Sequence, residues 1–339
     1  MTIDLAKHQP DFEQFLKVLR RQGRPTHLPF YEHVASEGFV SARLGRPLAG
    51  SWKNYVEFWM SMGYDCIPME IHFSIKLENS SWQGGVSRGS EEYAVIKTLA
   101  DFEKFPWPPE SAPINFNPFE RVTELLPDGA KIVGGVGGGP YEWTSKLMGV
   151  MGLSYALADC PELVERVFAK LSTLYESALK TLADMPSVGA LRQGDDLGFK
   201  TSTFLAPDDL RRLVFPIYRK MTAIAHARGK PFILHSCGNL AEVYEDLIAC
   251  GIDAKHSFEE TILPVGEFKK LYGRRITPIG GLDVDFICRS SEEAIRARGR
   301  AMLERASGRG GYALGSGNSI PEYVPEEKYL AMISLAWAS

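Results

Sequence analysis

Residues 231–238, PFILHSCG, form an apolar run that stops at a histidine, one spacer and a cysteine before Gly238-Asn239 breaks the chain. A run of four to eight apolar residues closed by a turn signal reads as a buried strand. Seven other stretches have the same character. They are 27–33 (HLPFYEH), 66–73 (CIPMEIHF), 131–138 (KIVGGVGG), 190–198 (ALRQGDDLG), 253–260 (DAKHSFEE), 275–283 (RITPIGGLD) and 311–320 (GYALGSGNSI). Helical patterns lie between them. Residues 161–185 repeat Leu163, Val164, Val167, Phe168, Leu171 and Leu174 at helical spacing, with Asp159 available as a cap and Pro161 in the first turn. A second helix opens at Pro207-Asp208-Asp209. Eight strands alternating with helices predict a closed (β/α)8 TIM barrel, an α/β fold in a single domain over 27–339, preceded by a helical extension over 1–26.

The bulk composition agrees. The chain has 339 residues, 45% hydrophobic and 24% charged, with a net charge of −4. These values describe a globular protein, with no basic run to favour nucleic acid or an anionic membrane surface. No apolar stretch approaches the roughly 20 residues of a membrane helix, and the start lacks the apolar core of a secretion signal. Five scattered cysteines fit a reducing cytoplasm better than a disulfide framework. The glycines at 134–139 suggest a phosphate loop, but the Lys-Ser/Thr of such a loop is missing, and close backbone approach at a strand end is the better reading.

Barrel active sites form at the C-terminal ends of the strands. Here those ends carry Glu32 and His33, Glu70 and His72, Asp195 and Asp196, His235 and Cys237, Glu259 and Glu260, Asp283, and Ser316 with Asn318. Burying so many ionisable groups without a partner is costly, so the ring marks a candidate site. Residues i and i+2 of a strand share a face, which turns His235 and Cys237 into the mouth together. Imidazole and thiolate at that separation suit a tetrahedral zinc ion. Glu259 on the neighbouring strand, with Glu260 next to it, is the expected third ligand, and Glu70 across the mouth is the competitor. Phe30, Tyr31, Phe73, Tyr141, Trp143 and Phe199 are candidate walls for a planar substrate, and Asp283 and Asn318 are candidate polar contacts.

The motifs "QGDDLGF", "PDDLRRLVFPIYRKM", "ARGKPFILHSCGNL", "GIDAKHSFEE", "YGRRITPIGGLD" and "GGYALGSGNSIPEYVPEEKYLAM", in that order, resemble the uroporphyrinogen decarboxylase superfamily. The likeness is clear from about residue 188 onward and is closer to the corrinoid-dependent methyltransferases than to the decarboxylases. It implies a (β/α)8 barrel and zinc held by a His-X-Cys pair, which maps onto His235 and Cys237, and by a later cysteine. That cysteine falls near Ser316, where this chain departs from the pattern, whereas Glu259 is similar in position to an acidic residue that reaches zinc. The resemblance further implies a corrinoid (cobalamin) on a partner protein and a small methylated substrate, for example an aryl methyl ether, with neither nucleic acid nor membrane as a partner. In that scheme Asp195 and Asp196 orient substrate or supply a proton, and Glu70 and His72 are alternatives for acid–base work. Arg20-Arg21-Gln22-Gly23-Arg24 is similar to an arginine motif of the true decarboxylases but reads as a basic helix end.

Overall fold

A computed structural model describes residues 8–75, 77, 94–308 and 310–336. Six parallel strands form one sheet in sequence order: β1 (Cys66–His72), β2 (Lys131–Gly137), β3 (Val188–Gly194), β4 (Phe232–His235), β5 (Ala254–His256) and β6 (Thr277–Ile279). The expected strands at 27–33 and 311–320 are single parallel bridges instead. Ile279 pairs with Ala313, and Leu314 with Phe30, which carries the sheet around toward closure. Pro29 has no N–H to extend a ladder, although its carbonyl accepts from the Leu314 N–H at 2.9 Å. Strands β5 and β6 are shorter than expected because the chain turns at Ser257 (φ 76°) and Gly280 (φ 84°). Together these elements make the TIM-barrel α/β architecture, in one domain.

Each of the six strands and each of the two bridged segments contributes one residue to the barrel floor. Tyr31, Cys66, Val133, Ala190, Ile233, Ala254, Ile279 and Ala313 form a buried cluster with Phe12, Phe15, Val18 and Leu19. Those last four lie on helix α1 (Phe12–Leu19), which is capped by the Asp11 side chain and plugs the N-terminal end of the barrel. Large residues from outside thus fill a space that Ala190, Ala254 and Ala313 leave open. Covering such side chains is worth about 1.5–3 kcal/mol each. The second core lies between sheet and helices and includes the expected face of helix Pro161–Asp184. Cys160, not Asp159, stands at that helix's cap position, with no side-chain bond. No helix among the described residues is long and apolar enough to cross a membrane.

The floor is pinned by Asp65, just before β1. It accepts from His27 Nε2 at 2.7 Å and from the Asp11 N–H at 2.9 Å. Burial would lower the His27 imidazole, but the bond to Asp65 and the nearby carboxylates raise it above its usual 6.5. Burial would raise Asp65, and the bonds from His27 and His8 pull it below 3.8. The His27 contribution is present in full below pH 6.5 and is lost as pH rises through its raised value. The Asp65 contribution is present above pH 3.8 and is lost on acidification. The pair therefore stabilises most between those limits. We expect His27→Ala to lower stability by about 1–3 kcal/mol near pH 5.5, and by less at pH 9. Chemical denaturation of both proteins across that range checks it.

Candidate active site

Arg192, on β3, carries a buried charge. Its guanidinium donates to the His33 carbonyl at 2.5 Å and to Glu70 Oε2 at 2.6 Å, with His33 Nε2 at 3.2 Å. A buried guanidinium needs such partners. Burial first, and then this cation, hold His33 well below its usual pKa, so it is neutral. The His33 ring stacks on His235 with centroids 4.0 Å apart and planes inclined by 20°. Register places His256 of β5 beside His235 of β4, and their Nδ1 atoms are 2.7 Å apart. Burial lowers His235 to about 4, which keeps it neutral. With its Nδ1 engaged by His256, His235 presents Nε2 to the mouth.

There Nε2 lies 3.5 Å from Cys237 Sγ and 3.7 Å from Asp196 Oδ1. One tetrahedral zinc with bonds of about 2.0–2.3 Å holds its donors about 3.3–3.7 Å apart, so both distances from Nε2 suit a single ion, with Sγ and Oδ1 within 4.8 Å of each other. Burial, followed by the Asp196 charge, pushes the Cys237 thiol up to about 12, so a thiolate here needs a cation beside it. The sulfur is also met by Asn318 Nδ2 at 3.1 Å and by Ser257 Oγ at 3.3 Å. His33, His235 and His256 also bring three ring nitrogens within 4.8 Å. The stacking of His33 on His235 rules that set out, because no ion lies in two nearly parallel ring planes at once.

The expected His235–Cys237 pair is therefore brought together, and the carboxylate grouped with it is Asp196, whose Oδ1 also accepts from the Cys237 N–H at 2.9 Å. Glu259 Oε1 instead accepts from the Gly238 N–H at 3.0 Å and caps the loop. Glu260 pairs with Arg298, and Glu70 with Arg192. Ser316 donates its N–H and hydroxyl to the buried Glu32, both at 2.6 Å, so the polar side chain at the sulfur is Asn318.

The site opens into a cleft of about 220 Å³ lined by Glu70, His72, Glu142, Lys146, Asp195, Asp196 and Asn318, among others. Asp195 is not free for chemistry. It accepts from the Tyr141 and Glu142 N–H groups (3.2 and 3.0 Å) and from Tyr218 Oη (2.8 Å), and so anchors the start of helix α2 (Pro140–Met148). Glu142, which sequence reasoning missed, faces the cleft. Burial, with the Asp196 charge, raises it to about 7. Its Oε2 accepts from the Gly139 N–H at 3.0 Å, and Gly-Pro-Tyr-Glu at 139–142 is the legible signature of that cap. Lys146 lies 5.2 Å from the centre of the Trp143 ring.

The expected aromatic walls are mostly elsewhere. Tyr31 belongs to the floor, Phe30 packs on Tyr64, and Phe73 packs against Trp143 and Tyr175. Trp143 is buried, Tyr141 stacks on Phe204, and Phe199 is 60% exposed beside the mouth. Asp283 caps helix Val284–Arg289. The glycine run is a set of close approaches. A Cβ at Gly137 would lie 2.4 Å from the His72 ring, and one at Gly139 2.0 Å from Asp195.

A family model described as uroporphyrinogen decarboxylase (URO-D) matches residues 86–338. No curated protein matches the chain. Among solved structures, a methyltransferase from Methanosarcina mazei is similar at 16% identity over 97% of this chain and 98% of that one, with a TM-score of 0.66. That likeness shows a shared fold. An arabinopyranosidase from Geobacillus stearothermophilus is similar at 13% identity over 92% of this chain and 78% of that one, with a TM-score of 0.41.

The donor geometry sets an order among substitutions. Cys237→Ala and Asp196→Asn are expected to lose most bound zinc on dialysis. Glu259→Gln and Ser316→Ala, which touch only the surrounding shell, should weaken binding by no more than about 10–100-fold. Metal analysis with chelator competition measures the order.

Proposed function

The chain belongs to the uroporphyrinogen decarboxylase family, and from that membership we propose that it is a zinc-dependent methyltransferase. It moves a methyl group between a small methylated substrate, of the aryl methyl ether type, and the cobalt of a corrinoid carried by a partner protein. The observation that supports this reading best is the mixed N/S/O donor set of His235, Cys237 and Asp196, of which His235 and Asp196 line the cleft. A substrate with many carboxylates would need arginines there, and none lines the cleft among the described residues. Arg20 and Arg24 bind the carbonyls of Gly229 and Gly308, and Arg21 those of Leu19 and Asp253. They fasten the region of the barrel floor, away from the mouth.

A zinc ion held by the three donors would serve as a Lewis acid toward the leaving oxygen of the substrate. The protein's own groups do the rest. In demethylation the bond from methyl carbon to oxygen breaks, the carbon passes to cobalt, and the oxygen takes up one proton. Glu142 is placed to hold that proton, since burial keeps its carboxyl protonated well above the ordinary carboxylate range. Lys146, in the same cleft, orients the substrate's polar end. Phe199 and Phe204 stand exposed on the hairpin next to the Cys237 loop and offer an apolar contact to the partner.

Mixing enzyme, reduced corrinoid protein and an aryl methyl ether should change the corrinoid absorption spectrum, and zinc removal should abolish the change. Loss of carbon dioxide from uroporphyrinogen by the metal-free protein would contradict the reading. The demethylation rate should fall as pH rises and Glu142, held above the ordinary carboxylate range by burial first, loses its proton. Glu142→Gln should lower the rate by about 10²–10⁴ and remove that limb.

A further inference from the structure

Lys255 lies on β5 between Ala254 and His256, which face the barrel interior, so its side chain leaves on the helix side. It is 2% exposed. Its ammonium meets no carboxylate within 4 Å among the described residues. It donates to the carbonyls of Ser236, at 3.2 Å, and Ser257, with the His256 carbonyl at 3.4 Å, and lies 4.4 Å from the centre of the Phe258 ring. Burial pulls it down to about 8, which still leaves it charged at neutral pH. A lone buried ammonium is costly, and an apolar residue of similar size would pack there without that cost.

What the ammonium gathers is the main chain on either side of the Cys237 loop. Ser236 separates His235 from Cys237. Ser257 is in the left-handed region at φ 76°, which a serine adopts only when its surroundings hold it. Its carbonyl is held by Lys255. Its hydroxyl lies 3.3 Å from Cys237 Sγ and 3.1 Å from the Gly317 carbonyl. Against burial, the Asp196 and Glu259 carboxylates, and Cys237 once ionised, raise the ammonium's pKa.

We propose that Lys255 is the positioning residue of the metal centre: by clamping the Ser236 and Ser257 carbonyls from behind, it aims the Cys237 sulfur at the ion, holds the Ser257 hydroxyl against that sulfur, and sets a fixed positive charge behind the anionic donors. This inference rests on the metal reading above. Outer-shell residues of this kind are worth about 10–100-fold in metal affinity.

The test titrates Co2+ into the metal-free full chain and reads the sulfur-to-cobalt charge-transfer band and the ligand-field bands. The wild type should bind with a clear sulfur band. Lys255→Met should keep or raise the melting temperature, bind Co2+ about 10–100-fold more weakly, and show a diminished or shifted sulfur band. A purely structural lysine would lower the melting temperature and leave the spectrum alone. Wild-type affinity and spectrum in Lys255→Met would overturn the proposal, whereas no sulfur band in the wild type would overturn the metal reading itself. Should Lys255→Met fail to fold, Ser257→Gly decides the matter. Glycine accepts the left-handed turn and removes the hydroxyl, so weaker binding with a shifted band supports the proposal and an unchanged titration overturns it.

Discussion

The bond between the Nδ1 atoms of His235 and His256 decides what the mouth of this barrel can do. It exists because β4 and β5 run parallel in a register that sets the two histidines side by side. His33 stacks on His235, so the ring cannot swing away, and its remaining nitrogen points at Cys237 and Asp196. Beneath them Arg192 must satisfy its buried charge, and it takes Glu70 and the His33 carbonyl to do so. That choice removes Glu70 from the donors, while burial first, and then the guanidinium charge, keeps the neighbouring imidazoles neutral. Neutral imidazoles are what a metal ion requires.

Much of this was legible before any coordinates. Apolar runs marked the six strands, and the two-residue period turned His235 and Cys237 to one face. Apart from the cap on Glu142, what stayed hidden depends on contacts between strands and loops, which periodicity does not encode. Glu259 and Asp196 both follow strands that flank β4, yet the turn after β5 sends Glu259 to the Gly238 N–H, while the loop after β3 brings Asp196 to the Cys237 N–H and within reach of His235 Nε2. Adjacent Asp195 was indistinguishable from Asp196 by type, but its oxygens are taken by the start of helix α2. His256 and Lys255 looked like ordinary strand residues because their partners lie some twenty positions away. Ser316 drew attention as the residue nearest an expected cysteine, and its hydroxyl is committed to the buried Glu32.

The same barrel can be read as a division of charge. Cations lie behind and below the mouth, at Lys255 and Arg192, while the cleft holds Glu142, Asp195 and Asp196 with Lys146 among them. Anionic donors are thereby stabilised from the protein side and left needing a cation on the open side. Membership in the uroporphyrinogen decarboxylase family sets the scaffold. The mixed nitrogen, sulfur and oxygen cluster at the mouth supports the proposed metal-assisted methyl transfer over recognition of a substrate rich in carboxylates.

X-ray absorption at the zinc edge, on protein purified without added chelator, tests that account most directly. It predicts about one zinc per chain with a single sulfur neighbour at about 2.3 Å and the remaining nitrogen and oxygen neighbours at about 2.0–2.2 Å. A metal shell without sulfur, or protein that takes up no zinc when zinc is supplied, would contradict it.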